Sequence, residues 1–214
     1  MATPITVDIW SDLVCPFCYI GKRHLEAALA RFPDKDRVTV RWHAFQLDPN
    51  PVRDRSKNIY QRLAEKYGQD VAWARSVTAQ TSAMARAAGL QFDYERAVPA
   101  NTLKAHRLVK LAAEKGLEDR AEERFMSAYF IEGKDLDDPA TLAALAAELG
   151  LDAAEAKRAI EMDAFNEAVR RDESAAMDMG VRGVPFFLIN GEIPLSGAQP
   201  VDQFLAALQS AAAV

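Results

Sequence analysis

Ile5-Thr6-Val7-Asp8-Ile9-Trp10-Ser11-Asp12-Leu13-Val14-Cys15-Pro16-Phe17-Cys18-Tyr19-Ile20 is the stretch on which the fold turns. Residues 5 to 10 read as an apolar strand, Ser11 to Val14 as a connector. An amphipathic helix follows, with Ile20, Leu25, Ala28, Leu29 and Phe32 near helical spacing. Pro16 suits the first helical turn, where a backbone N–H would have no partner anyway. Cys15 then stands immediately before the helix, where unpaired N–H groups and the positive end of the dipole favour a thiolate. Cys15 is expected to be the exposed, low-pKa nucleophile, and Cys18, one turn deeper, the buried resolving thiol.

The chain has 2 cysteines in all, and both are in this motif. Two thiols with no nearby histidine cluster cannot build a four-ligand zinc site, so no metal is expected. A structural disulfide here would close a loop too short to constrain the unfolded chain much. Thiol–disulfide exchange suits the pair better. A thiolate at a helix start is the attacking group, and the second thiol is placed to resolve the mixed disulfide.

The rest of the composition narrows the function classes. With 214 residues, 50% hydrophobic and 27% charged, the chain can bury a large core as one sizeable domain or a small domain carrying an insertion. Disordered and low-complexity classes are excluded. Lys+Arg number 26 against 31 Asp+Glu, a net charge of -5 with no basic block, so no nucleic-acid partner is expected. No apolar run has membrane-spanning length, and Met1-Ala2-Thr3-Pro4 has no cationic leader character; the chain reads as cytoplasmic with no membrane partner.

Outward from the motif, Val38 to Phe45 alternates as a second strand, and Asp48-Pro49-Asn50-Pro51 is a turn. Helical patterning fills the chain from about Ser56 to Gly180, with helices over 57–68 and 70–88. Gly89-Leu90, Gly116-Leu117, Gly150-Leu151 and Gly180-Val181 read as left-handed helix ends, each followed by an aliphatic residue. Asp138-Pro139 marks a helix start, and Asp152 with Glu155 resembles a capping box. Val184 to Ile189 reads as a strand, Asn190-Gly191 as a type I′ turn, Glu192 to Leu195 as its partner strand. A last helix carries Val201, Phe204, Leu205 and Leu208 on one face. The β-α-β start and the β-β-α end can share one sheet. Trp10, Trp42 and Phe187 are assigned to its core. Asp12 is a candidate to receive or donate a proton near Cys18, although a loop carboxylate three residues before the first thiol is more often solvated.

This order, with Cys-X-X-Cys opening the first helix, resembles a thioredoxin fold, and the helical insertion resembles the DsbA branch. A closer resemblance is to the FrnE-like DsbA family, related to 2-hydroxychromene-2-carboxylate isomerases and kappa-class glutathione transferases. It rests on Asp12 to Lys22, Phe45-Gln46-Leu47-Asp48-Pro49, Asn101 to Leu108, Gly183-Val184-Pro185-Phe186-Phe187 and Ser196-Gly197-Ala198-Gln199-Pro200. The implied fold class is α/β: a thioredoxin-like domain over 1–55 plus 165–214, with an inserted all-helical domain over 56–164. The isomerase and transferase relatives carry Ser where Cys15 stands, which argues for redox chemistry. The second, C-terminal cysteine pair of some FrnE-like proteins is absent.

The resemblance implies a site with Cys15, Cys18 and Pro185 as catalytic residues. Phe17, Val184, Ala198, Gln199, Asn101 and His106 would bind substrate. Pro185 would be cis and pack beside the cysteines, the plain alternative being a trans proline opening a strand. Val184 would offer backbone hydrogen bonds, while Ala198 and Gln199 would hold the γ-glutamyl carboxylate of glutathione at a helix N-terminus; the plain alternative is an ordinary helix start. Asn101 is equally readable as an N-cap, and His106 as a partly buried helix residue. His24, on the outer run of the first helix, and His43, within a strand, make weaker candidates. No tightly bound cofactor is expected; glutathione is a candidate co-substrate, and a thiol or disulfide, protein or glutathione, the expected partner. Oligomeric state is left open. Two rival functions remain: a glutathione-dependent isomerase or transferase acting on a small aromatic molecule, and a non-enzymatic binding module using the helical insertion as a lid.

Overall fold

In the computed structural model, which describes residues 3–50 and 54–213, the chain divides into two compact units. One comprises residues up to Leu47 together with Glu167 onward; the other spans Asp48–Asn166.

The first unit is built on a four-stranded mixed sheet ordered β2-β1-β3-β4. Strand β1 (Ile5–Ser11) pairs in parallel with β2 (Val38–Ala44) and antiparallel with β3 (Phe186–Ile189), which pairs antiparallel with β4 (Ile193–Ser196). The parallel β1–β2 crossover is helix α1 (Pro16–Arg31). Hairpin β3–β4 turns through Asn190 and Gly191 at φ 51° and 70°, the two left-handed positions that a type I′ turn needs and that Asn-Gly supplies cheaply. Val184 and Pro185 precede β3 rather than extending it, so the third strand is shorter than its apolar run suggests.

Alternation along β1 divides its side chains between the two sheet faces. Ile5, Val7 and Ile9 form a core with Leu25, Ala28 and Phe32 around α1, and with Phe204, Leu208 and Ala211 of α9 (Val201–Ala212). The Phe187 and Phe204 rings meet edge to face at 4.7 Å. On the opposite face Trp10 packs with Ala176 of α8 (Asn166–Asp178), Val181, Val184 and Phe186. Its indole N–H donates to the Asp172 carbonyl at 2.9 Å. His43 stacks on Trp10, with ring nitrogens 2.8 Å from Asp8 Oδ1 and 3.2 Å from Asp172 Oδ1. Trp10, Trp42 and Phe187 are all buried as expected.

The second unit contains α2 (Ile59–Tyr67), α3 (Val71–Ala87), α4 (Leu103–Ala113), α5 (Glu118–Phe130), α6 (Pro139–Glu148) and α7 (Ala153–Glu161). Its helix ends are strongly marked by local chemistry. After α3, α4 and α6 the chain turns through Gly89, Gly116 and Gly150 at positive φ. The next N–H bonds back to the helix, as from Leu90 to the Ala85 carbonyl at 2.8 Å. Gly180 does the same after α8. Asp138 caps α6 by accepting the Thr141 N–H.

Two start signals differ from the sequence reading. Asp152 accepts from Ala154 and Glu155 N–H in a one-sided cap, while the reciprocal box lies at Asn58 and Gln61. The expected turn at 48–51 is described as far as Asn50, whose N–H bonds Asp48 Oδ1; its last residue, Pro51, lies outside the described residues. Among the described residues no helix is long and apolar enough to cross a membrane.

Candidate active site

Cys15 is the N-cap of α1, with φ −89° and ψ 114°, and Pro16 occupies the first turn. Its carbonyl accepts from the Cys18 and Tyr19 N–H groups at 3.1 and 3.4 Å, so the motif is wound into the helix start. The cap position supplies no side-chain hydrogen bond to the first turn. A sulfur atom therefore stands where most helices place a capping oxygen. Both cysteines are free thiols.

Cys15 is not the exposed group that a nucleophile at a helix start suggests: it is 3% exposed and Cys18 1%. The cover comes from the loop before β3, where Cys15 Sγ lies 3.5 Å from the Val184 carbonyl oxygen. The Val184–Pro185 peptide bond is cis. Phe17, by contrast, is 40% exposed beside the cysteines.

Burial pushes the Cys18 thiol well above its ordinary range, and the hydrogen bond and charge of Cys15 add to the effect. The Asp12 N–H and the Ser11 hydroxyl, both bonding Cys18, pull the other way without offsetting it. The site thus holds its deeper thiol protonated.

Asp12 is buried, not solvated. Its Oδ2 accepts the Leu47 N–H at 2.8 Å, its carbonyl accepts the Cys15 N–H at 3.0 Å, and its N–H reaches Cys18. A four-residue connector places it in a loop, and loop residues are usually wet; the return of the chain at Leu47 covers it. Ser11, at the end of β1, carries no mark in the sequence, whereas Asp12 is marked there by its nearness to the cysteines. What the sequence does not show is that both are buried, because what covers them comes from the third dimension.

The Ser196–Pro200 loop is joined to Pro185, whose carbonyl accepts the Gly197 N–H at 2.8 Å. Val184, Pro185 and the loop containing Ala198 and Gln199 are thus linked into one rim, which meets Cys15 at its Val184 end. Gln199 turns its donors inward: its N–H bonds the Gly197 carbonyl at 2.9 Å and its side-chain amide the Ser196 carbonyl at 2.5 Å. His24 Nδ1 lies 2.8 Å from the Gln199 carbonyl oxygen. Gly21, on α1, makes room for the same rim. A Cβ there would stand 3.1 Å from Phe187 Cζ and 3.3 Å from Pro185 Cγ.

The two remaining expected site residues belong to the helical unit. Thr102, not Asn101, is the N-cap of α4 and makes no side-chain cap bond. Asn101 Oδ1 instead accepts the Leu103 N–H, and its amide donates to the Pro49 and Asn50 carbonyls at 3.2 Å each. His106 is completely buried within α4 rather than partly so.

Comparison with known proteins agrees with this architecture. The DSBA-like thioredoxin domain model matches residues 6–209. A probable DsbA oxidoreductase from Streptomyces coelicolor is 36% identical; its crystal structure superposes with a TM-score of 0.91 over 97% of this chain and 89% of that one. The cytosolic disulfide reductase DsbM of Pseudomonas aeruginosa shares the fold at 22% identity, with a TM-score of 0.66 over 96% and 97% of the two chains. A 2-hydroxychromene-2-carboxylate isomerase shares it at 18% identity, with a TM-score of 0.68 over 96% and 95%. The fold is therefore common to redox enzymes and to an isomerase, and the residues at the helix start must separate them. A mixed four-stranded sheet, a helical unit between its halves and a cysteine pair at the start of α1 are the architecture of the DsbA-like thioredoxin-domain family, to which this chain belongs.

Proposed function

We propose that the protein is a thiol–disulfide oxidoreductase acting through Cys15 and Cys18. The observation that carries this reading is the asymmetry of the pair. Cys15 occupies an N-cap with no side-chain cap bond and touches the Val184 carbonyl, while burial keeps Cys18 protonated beneath it.

The chemistry follows from that asymmetry. Cys15, as thiolate, attacks one sulfur of a partner disulfide, forming a Cys15–partner bond and expelling the other partner sulfur as thiolate. Cys18 then loses its proton and attacks Cys15 Sγ, which breaks the mixed bond and releases the second partner thiol. The partner disulfide gains two electrons and the protein dithiol becomes a disulfide. Run backwards, the same steps oxidise a dithiol partner. Cys18 resists ionising until a disulfide beside it replaces the Cys15 thiolate, so premature attack is suppressed.

Pro185 and Val184 form the rim over which the partner's backbone approaches, and Phe17 offers it exposed apolar area. The partner class is a protein disulfide or glutathione. For glutathione, Ala198 and Gln199 face its γ-glutamyl end, and the Gln199 amide must leave the Ser196 carbonyl to meet a carboxylate. No tightly bound cofactor enters the reaction.

Cys18→Ser separates the two half-reactions. Incubated with oxidised glutathione, this variant should accumulate one glutathionyl group on Cys15, visible by intact mass, whereas Cys15→Ser should take up none. A Cys18→Ser protein that stays unmodified would overturn the exchange reading. Conjugation of glutathione to an aromatic electrophile by such an unreactive protein would favour the isomerase or transferase class instead.

A further inference from the structure

We propose that His24 is a positioning residue of the dithiol site, setting the rim that receives a partner's peptide backbone. The proposal rests on the exchange reading above and extends it to a residue outside the cysteine motif.

The geometry is a closed frame. Helix α1 begins at Cys15, whose sulfur meets the Val184 carbonyl. The adjoining Pro185 carbonyl accepts the Gly197 N–H, and Gly197 at φ 77° turns the chain so that its own carbonyl accepts the Gln199 N–H. The Gln199 carbonyl then points back to α1, where His24 Nδ1 meets it at 2.8 Å. Both ends of the rim are thus fixed to the same helix, one at its first residue and the other about 13 Å further along its axis at 1.5 Å per residue.

A carbonyl oxygen only accepts, so Nδ1 carries the proton in this contact. The bond spans 175 residues of sequence, and its partner Gln199 directly precedes Pro200, the N-cap of α9. Pro200 makes no side-chain cap bond, and the preceding carbonyl is held by α1. Losing the tether frees the Ser196–Pro200 loop to swing and, through Gly197, lets the Pro185 carbonyl drift. The Cys15 sulfur itself is seated by α1 and stays in place. The expected consequence is selective: partners that must lay a peptide backbone along the rim suffer, and partners that offer only sulfur do not.

The test compares two disulfides on His24→Ala and His24→Asn. Oxidised glutathione supplies peptide groups and carboxylates; hydroxyethyl disulfide supplies only the S–S bond and hydroxyls. His24→Ala should lower the glutathione rate by about tenfold, mostly through KM, as expected for a lost hydrogen bond. It should leave the hydroxyethyl disulfide rate unchanged. Asn puts an amide nitrogen near the position of Nδ1, so His24→Asn should restore most of the loss. Equal slowing with both disulfides, or no slowing with either, would overturn the positioning role while leaving the exchange reading intact. A native protein that exchanges with neither disulfide would overturn the exchange reading, and this proposal with it.

Discussion

Helices α2, α3, α6 and α7 of the helical unit each begin on Asn58, Asp70, Asp138 or Asp152, whose side chain accepts a first-turn N–H. Helices α1 and α9 of the sheet unit begin on Cys15 and Pro200, and neither cap residue supplies such a bond. Thr102 and Leu117, which begin α4 and α5 of the helical unit, supply none either, so an open cap is not by itself the mark of a site; what sets α1 apart is the thiol that stands there. A side-chain oxygen at a helix start contributes roughly 0.5–2 kcal/mol. At α1 that gain is given up. A thiol occupies the cap of α1, and the positive end of the helix remains available to a developing negative charge. The start of α9 is left to the rim loop.

Filling the cap of α1 breaks the comparison most completely. Cys15→Ser gives that helix an ordinary capping hydroxyl and removes the attacking sulfur. Exchange with any disulfide should fall to background, while thermal stability should rise by up to a few degrees, since ~1 kcal/mol moves Tm by roughly 2–4 °C at this size. Calorimetry and an insulin-reduction assay on one preparation check both halves. A lower Tm would mean that the sulfur contributes packing that a hydroxyl cannot replace.

Adding one methyl group to each unit sharpens the contrast. At Gly133, in the helical unit, a Cβ would stand 2.5 Å from Arg96 Cβ and 2.7 Å from its carbonyl oxygen, and φ is +67°. Gly133→Ala should cost about 2–4 kcal/mol in urea unfolding, because overpacking and left-handed strain add. At Gly21 the helical φ favours alanine by up to about 1 kcal/mol, partly offsetting the squeeze against Phe187 and Pro185. Gly21→Ala should therefore lose only about 1 kcal/mol, yet slow exchange through the shifted Pro185, whereas Gly133→Ala in still-folded protein should exchange normally.

The smallest effect is the removal of one cap. Hydrogen bonds from the Thr141 N–H and hydroxyl hold the Asp138 carboxyl below its usual range. A depressed folded-state value means the stabilisation is complete above the unfolded value of about 3.9 and fades as pH falls through the folded one. Asp138→Ala should cost ~1 kcal/mol at pH 7 and progressively less in acid, with the exchange rate untouched. Unfolding curves at pH 7 and below pH 3 would check this; an equal loss at both would assign the effect to packing.

These contrasts also show what sequence could and could not reveal. The start of α1 at the cysteine pair, the glycine-ended helices, the Asn190-Gly191 hairpin and the α/β order were all readable. Each depends on contacts within a turn or two, or on the period of apolar residues that a strand or helix imposes. The reciprocal cap at Asn58 and Gln61 was equally local and could have been found by its spacing.

Other features had no local signature. Cys15 looked exposed because a helix start usually is, but a loop about 170 residues later covers it. Asp12 looked wet until Leu47 returned to it, His24 looked peripheral until Gln199 reached it, and His43 acquired Asp8 and Asp172 only when β1 and α8 met. The sequence alone determined where the cysteine pair stands and which helix it begins, since helix ends, turns and hydrophobic periods are set by neighbours along the chain. Tertiary structure alone decided which thiol is held protonated and what surrounds the other, because desolvation and long-range hydrogen bonds exist only after distant segments close over one another.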